Sequence, residues 1–359
     1  MRWSPPAGSP LALLACWACG GGVVDGEGEP DIEITSVPEL GSHALLHGQA
    51  RHIDPATYQV VIAARGAGPW TVTTERIRGD GSWSADVTSE IDDPTAIYAF
   101  LVGDPAALDG LEGATGFPAE LLDPAPIHDG VLRQVDGSRR VLLFSGREWI
   151  VRRTLVPDEP GPNVFTDQHQ AATVDADGVL HLNIVRDDDE YLSSEVMLTQ
   201  RLGHGTFVWS LDSSPRHRNE YGVTGLFVRD DTAPTDAKEF DIEMARWGDP
   251  DGPDAQFAVA PWQHTGNGDK YTFGPLWEPT IHAVTWTEGA LDFGSAEGAV
   301  WPPAEEDVLH TWSYRGPDVP VEGDNRARIN LWTFRFFGLP AGAGDDVSLA
   351  VRRFDFDPE

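Results

Sequence analysis

The stretch Lys238-Glu-Phe-Asp-Ile-Glu-Met-Ala-Arg-Trp247 decides how this chain is read. Its carboxylates, Glu239, Asp241 and Glu243, fall at every second position, with Phe240, Ile242 and Met244 between them. A strand has a side-chain period of two, so the acids share one face and the apolar residues enter a core on the other. The same alternation carries Ala245 and Trp247 onto the acidic face. A row of carboxylates beside an indole suits a cleft that stacks a sugar ring and cuts its glycosidic bond. At about 3.3 Å per residue the Cα atoms of Glu239 and Glu243 lie roughly 13 Å apart. Two Glu side chains leaning inward close that to the ~5–5.5 Å of a retaining pair, against ~6.5–9.5 Å for an inverting one. Alternating acids and apolar residues also describe the solvated face of an ordinary half-buried strand, so the surroundings must decide.

The 359-residue chain is long enough for two domains, and its hydrophobic fraction of 40% is that of a globular protein. A net charge of −33, with Lys238 and Lys270 as the only lysines, argues against a nucleic-acid partner. It also disfavours sulfated or uronic polysaccharides, so a neutral polysaccharide is the expected partner. Arg2 followed by the apolar run 11–15 reads as an export signal over residues 1–19. Leu13-Leu-Ala-Cys16 resembles a bacterial lipoprotein signal, which makes Cys16 the expected lipidation site and the cell envelope the expected location, with free secretion as the alternative. Residues 20–30, Gly-rich and acidic, form a tether. Both cysteines, Cys16 and Cys19, precede the tether, so no disulfide staples the folded part.

Residues 31–103 carry six short apolar runs, at 32–37, 44–50, 58–64, 70–77, 82–87 and 97–102, broken by turn residues such as Asp80-Gly81. They predict an immunoglobulin-like β-sandwich, with Trp70 and Trp83 as core residues or, as the alternative, sugar-binding aromatics. Residues 104–130, rich in Pro, Gly, Asp and Ala, read as a linker. From 131 to 359 more than ten strand patterns follow without a helical period, which predicts an all-β, two-sheet jelly-roll sandwich. A concave sheet of that architecture would carry the acidic strand.

The pentad and its neighbours together resemble glycoside hydrolase family 16, in the E-x-D-x-E form of the lichenase and xyloglucan branches. Ser193-Ser-Glu195 followed by Gly203-His-Gly-Thr-Phe207 is similar to the paired strands ahead of the catalytic one in that family. Residues 222–229 resemble the strand before it, Ala255-Gln-Phe257 the strand after it, and Ile281-His-Ala-Val-Thr-Trp286 a later histidine-to-tryptophan strand. The resemblance covers about residues 140–358 and implies a concanavalin A-like fold. It also implies roles, with Glu239 as nucleophile, Glu243 as general acid/base and Asp241 tuning Glu239. Two departures stand out: Ala258-Val-Ala260 where polar or aromatic residues are usual, and Leu291-Asp-Phe-Gly-Ser295 in place of an apolar-Asp-Gly turn.

Substrate-binding candidates are Trp247 and Trp262 as stacking platforms, Gln256 and His282 as hydrogen-bonding groups, and Asn163 at a cleft-edge loop. Trp286 and Trp332 sit in apolar runs and are assigned core or mixed roles. Asp187-Asp-Asp-Glu190 offers oxygen ligands for calcium, but an acidic turn accounts for it, so a structural calcium ion is allowed by the resemblance without being placed. No cofactor is required and a monomer is expected. The resulting expectation is a retaining, endo-acting hydrolase of a neutral β-1,3 or mixed β-1,3/1,4 glucan, with a transglycosylase or a non-catalytic surface carbohydrate-binding protein as alternatives.

Overall fold

The computed structural model describes residues 28–38, 41–66, 70–88, 94–103, 131–154, 157–188, 190–212, 220–272, 279–334 and 347–359. The expected signal with Cys16, the first part of the tether and the 104–130 linker lie outside the described residues. The structure is all-β, with one short 3₁₀ turn at Glu305–Asp307 among the described residues.

Seven strands build a small sandwich: β1 Asp31–Ser36, β2 Leu46–Arg51, β3 Gln59–Arg65, β4 Thr71–Arg76, β5 Ser82–Ala85, β6 Ala96–Val102 and β7 Val131–Asp136. They pair as β1-β2-β5 and β4-β3-β6-β7. Val60, Ile62 and Ala64 of β3 and Ile97, Ala99 and Leu101 of β6 meet Ile32, Leu46 and Trp83 in a shared core. Trp70 is also buried, against Tyr98, with the Arg65 guanidinium 4.9 Å above its ring. The boundary expected at residue 131 moves, because β7 pairs antiparallel with β6 and completes this sandwich. Alternation in a sequence signals a strand but not the neighbour it will pair with.

The remaining strands form two large sheets. One holds β8 Val141–Phe144, β9 Arg147–Val151, β14 Glu190–Leu198, β16 Gly222–Arg229, β17 Glu239–Ala245, β18 Ala255–Val259, β19 Gly268–Tyr271 and β23 Arg326–Thr333. Its order is β19-β18-β17-β16-β23-β14-β9-β8, with the short strands β10 Val164–Phe165 and β13 Val185–Asp187 also paired to β14. The other sheet runs β11-β12-β24-β15-β20-β21-β22. Its members are β11 Ala172–Val174, β12 Leu180–Asn183, β15 Gly205–Leu211, β20 Thr280–Thr287, β21 Ala290–Glu297, β22 Val308–Tyr314 and β24 Ser348–Pro358. Phe240, Ile242 and Met244 from β17 meet Phe207, Trp209, Trp286 and Phe293 from the opposite sheet in one buried core. Phe240 lies edge-on to Phe207, with ring centroids 5.7 Å apart. The apolar half of the pentad therefore anchors the strand, and its acidic half is left on the outer face.

Two family-like segments sit otherwise than expected. Residues 193–195 and 203–207 are not paired: β14 belongs to the acidic-strand sheet and β15 to the opposite one. Leu291-Asp-Phe-Gly-Ser295 is no turn but part of β21, because Gly289, at φ +75°, already turns the chain back from β20.

Candidate active site

The acidic strand lies between β16 and β18, and its register places each carboxylate in a defined row across the sheet. Glu239 stands opposite Arg229. Asp241 stands between Phe227 and Ala258, and Phe227 is followed by Arg328. Glu243 centres the longest polar row, Lys270-Gln256-Glu243-Gly225-Asn330-Glu195, which crosses six strands. All of these residues except Ala258 line one cleft of about 620 Å³, with Trp247, Trp262, Trp332 and Phe334 on its walls. Gly225 keeps the floor low, since a Cβ there would come within 2.5 Å of Asn330 Oδ1.

The three carboxyl groups differ in their surroundings. Glu239 Oε2 accepts a hydrogen bond from Arg229 Nη1 at 2.9 Å, within an ion pair. Asp241 is pushed well above the usual carboxylate range, first by burial, then by the neighbouring charges of Glu239 and Glu243 and by its hydrogen bond with Glu239. Glu243 is pushed up to about 7, chiefly by burial and further by Glu239, against the opposing effects of the Gln256 hydrogen bond and the Lys270 charge. Gln256 Nε2 donates to Glu243 Oε2. One ion-paired carboxylate thus stands two positions from an Asp pushed toward its protonated form and four from a carboxyl held near 7. Three cleft atoms, Asp241 Oδ2, Arg328 Nε and Asn330 Oδ1, are buried without a hydrogen-bond partner in the protein. Unsatisfied buried polar atoms are rare in folded proteins, and clustering in a cleft suits them to a hydroxyl-rich ligand.

Most of the expected binding residues meet here. Trp247 sits just past the end of β17 with φ +48°, a backbone region few non-glycine residues adopt. The Lys270 ammonium lies 4.7 Å from its ring. Trp262 is 58% exposed on the turn after β18, an apolar plate at the cleft lip. Gln256 lines the cleft beside Glu243. Two expectations are corrected. His282 belongs to β20 in the opposite sheet and is fully buried, with Nδ1 on Ser295 Oγ at 2.8 Å and Nε2 on Thr280 Oγ1 at 3.0 Å, so it reaches no ligand. Burial holds it neutral, with its pKa lowered to about 3. Asn163 is also fully buried: its amide donates to the carbonyls of Pro160 and Thr333, and its oxygen accepts from the Ser193 and Thr333 hydroxyls. It braces the loop whose Pro160 and Gly161 line the cleft, instead of facing sugar itself.

Arg229, Arg328, Asn330, Trp332 and Glu195 are cleft residues that the sequence reading did not assign to catalysis or substrate binding. A signal for three of them was present: Arg328, Asn330 and Trp332 alternate with Ala327, Ile329 and Leu331, the same two-faced pattern as the pentad. Trp332, given a core or mixed role, lies on the cleft wall, whereas Trp286 is in the core. Among the described residues, no group of three or more His, Cys, Asp or Glu side chains is placed to hold a metal ion.

No protein-family model matches the chain. No curated protein matches it. Among solved structures, it is similar to an immunostimulatory antigen and pseudo beta-1,3-glucanase of Mycobacterium tuberculosis, at 17% identity over 58% of this chain and 91% of that one, with a TM-score of 0.45. A beta-1,3-glucanase from Mycobacterium marinum is 17% identical over 58% of this chain and 90% of its own, with a TM-score of 0.43. A prokaryotic beta-1,3-1,4-glucanase (lichenase) from a mouse hindgut metagenome is 16% identical over 59% and 93% of the two chains, with a TM-score of 0.39.

Proposed function

We propose that the 137–359 sandwich is a retaining, endo-acting glycoside hydrolase of a neutral β-linked glucan, with β-1,3 or mixed β-1,3/1,4 linkages. The observation that carries this reading is the division of labour along β17: Glu239 is ion-paired to Arg229, while Glu243 is held near 7. Those are the states that a nucleophile and a general acid require. In the first step Glu243 gives its proton to the glycosidic oxygen. Glu239 attacks the anomeric carbon, and the C–O bond to the leaving sugar breaks. In the second step water attacks the glycosyl-Glu239 ester, Glu243 takes back a proton, and the sugar leaves with its original configuration. Asp241, pushed toward its protonated form and hydrogen-bonded to Glu239, orients the nucleophile and supports its carboxylate as it departs. Trp247, Trp262 and Trp332 supply ring-stacking walls.

Each Arg of the cleft has carboxylate partners, which favours hydroxyl-bearing over acidic sugars. The family 16 resemblance agrees with these roles. The same proposal takes the protein to be exported, with Cys16 as lipid anchor and the first sandwich as a spacer or accessory sugar binder. Reducing-sugar release from laminarin, mixed-linkage β-glucan, xyloglucan, agarose and κ-carrageenan, measured for the wild type beside Glu239→Gln, tests it. Release from one neutral glucan, abolished in the variant, is the expected result. Binding without release by either protein would replace the hydrolase with a carbohydrate-binding protein.

A further inference from the structure

We infer that Arg229 is the positioning residue for Glu239, and that a row of ion pairs laid across the cleft floor holds Arg229 in place. The inference rests on the reaction proposed for this cleft and adds to it the part that fixes the nucleophile. Arg229 uses two edges of its guanidinium: Nη1 donates to Glu239 Oε2 at 2.9 Å and Nε to Asp231 Oδ1 at 2.8 Å. The other oxygen of Asp231 accepts from Arg328 Nη2. Arg328 Nη1 in turn reaches Glu195 Oε1 at 3.2 Å, and Glu195 Oε2 accepts from Arg152 Nη1 at 2.9 Å. Arg152 closes the row on Asp158 Oδ2 at 2.7 Å. Charge alternates at every link, from the loop at residue 158 to the catalytic strand.

Stability alone does not account for such a row. Buried ion pairs repay their desolvation poorly, and apolar replacements of whole pairs are often neutral or stabilising. Glu195 and Arg328 are nonetheless among the most buried polar side chains of the cleft, at 1% and 6% exposed. What the row supplies is geometry. A planar guanidinium held on two edges cannot rotate away, so the Glu239 carboxylate, with Oε2 on Arg229, keeps a fixed orientation. Displacement of a reacting group by about 1 Å costs on the order of 100-fold in rate, without any need for weaker substrate binding. Lysine at 229 keeps the charge but lacks the second edge, so it restores part of the function.

The test measures kcat, KM and melting temperature for Arg229→Met, Arg229→Lys, Asp231→Asn and Arg152→Met, with Arg315→Met as control, an exposed residue just past β22 that pairs with Asp292. Labelling of Glu239 by carbodiimide and an amine, read by peptide mass spectrometry, accompanies the kinetics and needs no turnover. Arg229→Met should lose about 100-fold in kcat with KM within twofold, and Glu239 should label faster than in the wild type. Arg229→Lys should recover about tenfold of that loss, and the loss should shrink from Asp231→Asn to Arg152→Met. A rise in KM at constant kcat, equal losses along the row, or labelling of Glu239 unchanged in Arg229→Met would each overturn the inference. A wild type inactive on every glycan counts against the proposed reaction, and the labelling then decides the Arg229 assignment by itself.

Discussion

Replacing Gln256 with Leu should move the activity proposed for this cleft to higher pH. Gln256 Nε2 donates to Glu243 Oε2, a contact that favours the ionised carboxylate and opposes burial and Glu239, which together lift Glu243 to about 7. A hydrogen bond to a charged group contributes about 1.5–3 kcal/mol, and one pKa unit corresponds to 1.36 kcal/mol. Loss of the donor should therefore raise the Glu243 pKa by roughly 1–2 units. The general acid must be protonated to act, so the alkaline limb of the pH profile follows its pKa upward. In the wild type kcat/KM should fall through a limb near 7, and in Gln256→Leu near 8–9. The assay is the pH dependence of kcat/KM for reducing-sugar release, with melting temperatures taken across the same range. A limb that stays near 7, or moves down, would refute the assignment of Glu243 as the acid governed by this contact.

Other consequences follow from the same structure. His282 is neutral in the fold with its pKa lowered to about 3, while in the unfolded chain it titrates near 6.5. The unfolded state therefore binds the extra proton between those values, and stability falls as pH drops through that window, by about 2 kcal/mol from pH 6.5 to 5. Urea unfolding should show this slope in the wild type and a shallower one in His282→Asn. Removing Glu195 as Glu195→Ala leaves the buried Arg328 and the partly exposed Arg152 charges short of a partner, and should cost about 3 kcal/mol by the same measurement. Trp262→Ala, on an exposed turn, should weaken oligosaccharide binding by about tenfold, in line with ~1–1.5 kcal/mol for an aromatic contact, and leave the melting temperature within 2 °C, roughly.

The strand content and the acidic face were legible in the sequence because both rest on a period of two. Phe240, Ile242 and Met244 fill the core, and Glu239, Asp241 and Glu243 line the cleft, as alternation requires. What alternation does not carry is the identity of the neighbouring strand. Residue 282 does lie on a strand, as its pattern requires, yet that strand belongs to the opposite sheet, which turns a candidate sugar ligand into a core histidine bonded to Ser295 and Thr280. The same gap hid β7, which joins the first sandwich, and the partnership of Arg229 with Glu239, which exists only through the β16–β17 register. Asn163 is buried behind the cleft loop, and its four hydrogen bonds to Pro160, Ser193 and Thr333 include partners up to 170 residues away. No local pattern encodes such contacts.

The most direct test of the central claim is the configuration of the first product. Proton NMR of the anomeric region, recorded in the first minutes of hydrolysis of a mixed-linkage β-glucan or laminarin oligosaccharide, resolves the α and β reducing ends before mutarotation mixes them. The proposed double displacement through Glu239 predicts that the β anomer appears first and the α anomer grows in later. An α anomer appearing first would mean direct attack by water across the cleft, and would contradict the assignment of Glu239 as the nucleophile.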